Sequence, residues 1–341
     1  MRIGLIGTGR IGAFHASTLA ALPAVNALVL HDSDARSART VADSVGGECA
    51  DSLGALLGAG LDGVVVAAPT GSHAELILAA HRAGLPTFCE KPVASSLEET
   101  DRVLSALQDS DVPLQIGFQR RFDAGYRAAR EAVASGRLGW THTLRACTAD
   151  PAPPHPEYIP GSGGIFRDCS VHDYDIVRWV TGREITEVYA TGANRGDAFF
   201  AASQDVDTAV SVLTLDDGTL ATCTATRYNG AGYDVRLEVC GSEGTLVAGL
   251  TEQAPLASAE GTAYPAGSPY PGFMERFQDA YRAELTAFTE VVAGLGPSPC
   301  TGADARAALA VAEAATRSRA EGRPVPVSAP TRARVYGNGR L

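Results

Sequence analysis

The chain has almost no lysine. Of 28 lysines plus arginines in 341 residues, one is a lysine, Lys91, inside "FCEKPV" at residues 88 to 93. A composition bias toward Ala, Gly and Arg accounts for the missing lysines without any functional reason, but leaves the retention of Lys91 open. Basic residues as a class are also short: 39 Asp plus Glu leave a net charge of −11 and a pI near 5.1. Such a surface repels phosphate backbones and anionic lipid, so neither nucleic acid nor a membrane is expected as a partner. No apolar run reaches the roughly 18 residues needed to span a bilayer. The seven cysteines are scattered with no C-x-x-C pair, so neither a zinc site nor a disulfide framework is signalled. With no leader-like segment at the start, the expectation is reduced thiols in a cytoplasmic protein. What is present is ordinary globular composition, 45% hydrophobic and 20% charged, at a length that usually makes two domains.

"MRIGLIG" reads as a strand running into "GTGRIG", and "AFHASTLAAL" continues with helical composition. Gly7, Gly9 and Gly12 hold the G-x-G-x-x-G positions, with Arg10 and Ile11 between them at the head of the helix. In that context the first glycine permits a tight turn, the second lets backbone approach a pyrophosphate, and the third lets helix and strand pack closely. The pattern alone is weak in a chain with 37 glycines. It gains weight from "ALVLHD", a second strand ending at Asp32, where a carboxylate accepts from both ribose hydroxyls and favours NAD over NADP. A turn or N-cap aspartate fits Asp32 as well. Arg36 and Arg39 read as solvated helix charges.

Strand and helix alternate on through "DGVVVAAPT", "HAELILAAHRAG", "PTFCE", "SLEETDRVLSALQD" and "PLQIGF". The fold class is therefore α/β: a doubly wound (Rossmann) parallel sheet over residues 1–120, with ligands bound outside the carboxyl ends of its strands. Lys91 follows such an end. From residue 121 to 341 the rhythm changes to an α+β pattern with a mainly antiparallel sheet. "DTAVSVLTLDDGTLATCTATRYN" reads as a hairpin turned at Asp217-Gly218 and "YDVRLEVCGSEGTLVAG" as another. Two helices follow, and the end after "VPVS" reads as a tail.

In "GGIFRDCSVHDYDIVRW", a helix beginning near Asp168 puts Asp168, His172 and Asp175 at i, i+4 and i+7, two carboxylates flanking an imidazole. Asp173 points elsewhere. A surface helix with N-terminal aspartates and an incidental histidine fits the same stretch.

Taken in order and spacing, "GTGRIG", "CEKPV", "GFQRRFD" and "GGIFRDCSVHDYD" resemble the Gfo/Idh/MocA oxidoreductase family, and within it the inositol 2-dehydrogenases. The resemblance spans nearly the whole chain, and Glu-Lys-Pro followed by D-x-x-x-H-D at this distance is its most specific part. It implies a catalytic group of Lys91, Asp168 and His172, and a substrate pocket lined by Arg121 and Asp175. Thr70, His73 and Glu90, with Lys91, would lie near the NAD cofactor. It also implies an open antiparallel sheet used for subunit contact, hence a homodimer or homotetramer. "CTADP" departs from a more basic stretch in relatives, with Thr148 and Ala149 removing donors to substrate hydroxyls. Cys169 stands where a bulkier apolar residue is common. These departures bear on which polyol is bound.

The chemistry supports the same roles. Oxidising a secondary alcohol needs one base for the hydroxyl proton and one cation near the developing alkoxide. His172, oriented by Asp168, suits the first. Lys91 suits the second, and a lysine, unlike an arginine, can also release a proton where its surroundings favour it. A short-chain dehydrogenase would need tyrosine four residues before the lysine, where Thr87 stands. Two alternatives stay open: a sugar or keto-sugar oxidoreductase of the same fold, and a non-catalytic NAD-binding regulator.

Overall fold

The computed structural model describes residues 1–261 and 267–328. Six parallel strands form the first sheet: β1 (Arg2–Ile6), β2 (Ala27–His31), β3 (Glu48–Cys49), β4 (Gly63–Val66), β5 (Thr87–Glu90) and β6 (Leu114–Gly117). Their spatial order is β3-β2-β1-β4-β5-β6. The order reverses between β1 and β4, which is where open α/β sheets bind ligands. All four residues of β4 are buried, because helices cover both faces of the sheet and both faces must be apolar.

The second sheet contains β7 (Thr141–Ala149), β8 (Ile185–Ala193), β9 (Thr208–Leu215), β10 (Leu220–Thr226), β11 (Asp234–Gly241), β12 (Thr245–Ala248) and β13 (Val325–Pro326). Their order is β12-β11-β7-β10-β9-β8-β13. Both expected hairpins form, β9 with β10 and β11 with β12. The first turns at Gly218, whose φ of 87° suits glycine, while Asp217 accepts from the Thr219 amide at 2.9 Å. One pair departs from the antiparallel pattern: β10 runs parallel to β7. The β8-β9-β10 meander returns the chain to lie beside β7, a long-range pairing that no local pattern signals.

Helices Ala124–Ala134, Val171–Thr181 and Gly302–Glu321 cover one face of this sheet over a core that includes Leu144, Tyr174, Leu213 and Leu237. Among the described residues, the other face is open. In β9, Ala209, Ser211 and Leu213 are buried, while Val210 and Val212 stand 39% and 42% exposed.

The C-terminal helices also return to the first sheet. Leu285 and Phe288 of helix Gln278–Val292 pack with Ile3, Leu5 and Phe88. A Cβ on Gly63 would stand 2.8 Å from Val292 and 3.3 Å from Phe288. The parallel sheet thus draws part of its core from beyond residue 120. The expected tail, from residue 329 on, lies outside the described residues.

Candidate active site

The glycine-rich loop leaves β1 and opens helix Arg10–Ala20. Gly7 has φ of 93°, and a Cβ there would lie 2.5 Å from the Ala68 nitrogen. At Gly12 a Cβ would lie 2.0 Å from the Gly7 carbonyl oxygen. These two positions exclude side chains because backbone occupies the space. Gly9 differs: nothing lies within 4 Å of the position its Cβ would take. It is the helix N-cap, no side chain caps it, and Arg10, Ile11 and Gly12 form the first turn. An open cradle over uncapped backbone N–H groups fits a pyrophosphate.

Asp32 follows β2. Its Oδ2 accepts from the Thr8 amide at 2.6 Å and the Thr8 hydroxyl at 3.1 Å, and its Oδ1 from the Asp34 amide at 2.9 Å. Burial opposes ionisation, but the hydrogen bonds from Thr8 and Asp34 outweigh it and hold the carboxyl below its ordinary value. Asp34, not Asp32, caps the following helix. Arg36 and Arg39 are exposed.

Thr70 begins a short turn after β4 and is partly buried. His73 opens the helix that follows this turn and is enclosed. It is 1% exposed, with Nδ1 2.7 Å from the Pro92 carbonyl and Nε2 2.8 Å from the Ala68 carbonyl. With both ring nitrogens engaged, it ties the segment after β4 to the Lys91–Pro92 segment and has no atom left for a ligand. Glu90 ends β5, its Oε1 2.7 Å from His15 Nε2.

Lys91 Nζ donates to the Asp168 carbonyl at 3.1 Å and lies 3.5 Å from Asp168 Oδ1. Residues 77 positions apart therefore meet at the carboxyl edge of the parallel sheet. Asp168 also accepts from Arg227 Nη2 at 2.6 Å and the Tyr158 hydroxyl at 2.9 Å. Arg227 in turn donates to Asp150 at 3.0 Å. Burial works against the Asp168 carboxylate, yet Lys91, Arg227 and Tyr158 hold its pKa below the ordinary value. Burial pushes Asp150 up.

His172 does not pair with Asp168. Phe166–Ser170 is a π-helical turn, and the α-helix starts only at Val171. The wider turn breaks the i, i+4 stacking that a regular helix from Asp168 would give. Asp168 spends its bonds on Arg227, Tyr158 and Lys91, while His172 Nδ1 is enclosed without a partner. The Phe118 ring meets the imidazole edge-on at 5.6 Å. Burial, then the charges of Lys91 and Arg120, push His172 well below the ordinary histidine range.

Arg121 and Asp175 face each other. Arg121 Nε and Nη2 donate to the two Asp175 oxygens at 2.8 and 2.5 Å, and Asp304 lies 3.2 Å from Nη2. At 5% and 1% exposure, the pair is a buried bidentate bridge between the Gln119–Phe122 turn and the His172 helix. Asp173 likewise pairs with Arg120 at 2.5 Å, joined by Thr148, whose Oγ1 donates to Asp173 at 2.8 Å. Thr148 is thus a structural partner of the buried Arg120–Asp173 pair. Sequence reasoning missed Arg227, Tyr158 and Asp150 as partners of the site. They come from three separated segments; the one available cue was Asp150 in "CTADP".

Two family models match the chain: "Oxidoreductase family, NAD-binding Rossmann fold" over residues 1–118 and "GFO/IDH/MocA C-terminal domain" over residues 126–247. The chain is 37% identical to the myo-inositol 2-dehydrogenase of Thermotoga maritima, with 95% of this chain and 98% of the relative covered. It is 35% identical to the inositol 2-dehydrogenase of Rhizobium meliloti, over 96% and 99% of the two chains. It superposes with a TM-score of 0.88 on the scyllo-inositol dehydrogenase of Lactobacillus casei, solved with NAD(H) and scyllo-inositol, at 28% identity and coverage of 96% and 99%. With both halves matched and relatives aligned along almost its full length, this chain belongs to the Gfo/Idh/MocA oxidoreductase family.

Proposed function

We propose that this protein is an NAD-dependent dehydrogenase that oxidises a secondary hydroxyl of a neutral cyclic polyol, an inositol being the substrate class. One observation carries the polyol reading beyond the family: the charges around Lys91 cancel. Lys91 and Arg227 are balanced by Asp168 and Asp150. Behind them the Arg120–Asp173 pair is internally neutral, and Arg121 meets two carboxylates, Asp175 and Asp304. Among the described residues, a phosphate or carboxylate would meet no spare cation here, whereas hydroxyls match a mixed set of donors and acceptors.

The cofactor fits the glycine cradle at Gly7, Gly9 and Gly12, with Arg10 and Ile11 in the first helical turn and Asp32 at the ribose. Thr70 borders the same edge. Bound there, NAD would supply a nicotinamide ring as the acceptor for the hydride of the carbinol carbon. The chain's own residues handle the proton. His172 is neutral because of burial and the nearby cations, so it can accept the hydroxyl proton. Its Nδ1 is enclosed, which leaves Nε2 to take it. Lys91 stabilises charge growing on the alkoxide oxygen, and Asp168, fixed by Arg227 and Tyr158, holds Lys91 in place. In this reading Arg121 and Asp175 support the pocket by bracing the His172 helix, since their hydrogen bonds are spent on each other.

A homodimer or homotetramer formed through the open face of the second sheet, in a reducing cytoplasmic setting that keeps all seven cysteines free, belongs to the same proposal. The decisive experiment is NADH formation measured across myo-, scyllo- and chiro-inositol, glucose and sugar phosphates. Turnover of an inositol above the free sugars is expected. A sugar phosphate turned over far faster than any neutral polyol would overturn the assignment. Binding of NAD with no turnover on any of them would favour a regulator.

A further inference from the structure

Beneath Lys91 lies a set of titratable groups that the proton transfer does not use. His15, 0% exposed, stands in the second turn of the helix that the glycine-rich loop opens, with Nε2 2.7 Å from Glu90 Oε1. The Phe88 and Tyr281 rings flank the imidazole edge-on, with centroids at 5.6 and 5.7 Å. Glu90 is the last residue of β5, so its carboxylate and the Lys91 side chain hang from adjacent backbone atoms. The carboxylate occupies a slot that exists because β6 carries glycine at 117. A Cβ there would stand 3.2 Å from Glu90 Oε2 and 2.9 Å from the Phe88 ring.

The helix bearing His15 cannot shift independently of the loop before it, because Gly12 abuts the Gly7 carbonyl. Among the described residues, His15 is the hydrogen-bonding side chain that meets the Glu90 carboxylate. Glu284, fully buried on helix Gln278–Val292, is the other acid in reach; burial and the Glu90 charge push its carboxyl well above the ordinary value.

We propose that His15 and Glu90 are positioning residues: their hydrogen bond makes the helix of the dinucleotide loop set where Lys91 stands, so cofactor site and proton-handling site move as one unit. This rests on Lys91 being catalytic. A misplacement of about 1 Å at a reacting group costs on the order of 10²-fold in rate, so a loosened Lys91 is visible in turnover.

The test uses the full chain. His15→Leu removes the bond, His15→Gln keeps an N–H donor near the place of Nε2, Glu90→Gln keeps the size of the acid, Glu284→Gln keeps a neutral group, and Lys91→Arg runs in parallel. The readouts are kcat and both KM values on an inositol, NADH affinity by fluorescence titration, and Tm. For His15→Leu, kcat should fall about 10- to 100-fold at saturating substrates, while NADH affinity changes less than about threefold. His15→Gln should recover most of that loss, and Glu284→Gln should keep kcat. A His15→Leu enzyme with lowered Tm but unchanged kcat would reduce the couple to a packing feature and overturn the proposal. If His15→Leu does not fold, Glu90→Met, which removes the acceptor that Glu90→Gln retains, decides by the same criterion. A fully active Lys91→Arg enzyme would instead overturn the reading of Lys91, and the coupling with it.

Discussion

Lys91 is held by two oxygens of a single residue, the carbonyl and carboxylate of Asp168, with 18% of its side chain exposed. A guanidinium there would be bulkier, planar and permanently protonated, and would face a carboxylate already bound by Arg227 and Tyr158. Lys91→Arg should therefore lower turnover by about 10²- to 10⁴-fold, the range for losing a positioned proton-transfer group. NAD affinity, measured by fluorescence titration, should change little, because the glycine cradle and Asp32 lie elsewhere. If composition bias alone explains the single lysine, the substitution will be silent. His172 gives a second expectation. Its pKa lies well below 6.5 in the folded protein, and the base works only when unprotonated. The rate constant kcat/KM should rise with pH along a limb lying below 6.5 and show no His172 inflection above it. The same sign governs stability: the contribution of a neutral His172 is complete above 6.5 and is lost as pH falls through the folded value. A limb centred above neutrality that vanishes in His172→Asn would contradict this. Lys91, Asp168 and His172 could be singled out in the sequence because each sits in a short motif, and the structure brings Lys91 and Asp168 together but leaves His172 unpaired with Asp168. Arg227 and Tyr158 could not be singled out, because nothing local distinguishes an arginine at a strand end or a tyrosine in a Pro-rich loop.

At the level of elements, the glycine loop and β2 form where the sequence pattern put them, since a strand, a tight turn and a helix are all local consequences of residue order. The consequence for cofactor choice is testable. Asp32 is fixed by Thr8 and Asp34 and held ionised, so a 2′-phosphate would meet like charge and lose the ribose hydrogen bonds. NAD should be preferred by about 10- to 100-fold in kcat/KM, equivalent to roughly 1–3 kcal/mol. Asp32→Ser should narrow that gap, with exposed Arg36 and Arg39 close in sequence to accept the added phosphate; equal efficiency with both cofactors in the unaltered enzyme would refute the role. The π-turn at Phe166–Ser170 is the element the sequence concealed. A period of 3.6 is the default expectation for a helix, and nothing in "FRDCS" announces a wider turn. That turn is why Asp168 reaches across to Lys91 instead of stacking beneath His172.

For the whole molecule, alternation of strands and helices made the parallel sheet readable, and hairpin turns made most of the second sheet readable. The β7–β10 parallel pairing and the return of Leu285 and Phe288 to the first core depend on contacts far apart in sequence, which patterning does not encode. The open face of the second sheet carries the remaining expectation. Tyr189, Val210, Val212 and Leu220 are 41%, 39%, 42% and 48% exposed on neighbouring strands β8, β9 and β10. Edge strands and open apolar faces invite association, and a stable interface needs about 800 Å² from each partner, an area that a broad sheet face can supply. Val212→Glu would put one unpaired carboxylate per protomer into that contact while leaving the helix-covered core untouched. Light scattering should show an oligomer for the parent chain and a smaller species for the variant, with the far-ultraviolet circular dichroism unchanged. A parent chain that is monomeric at micromolar concentration, or a Val212→Glu variant that keeps the full assembly, would show that the subunits meet through a different surface.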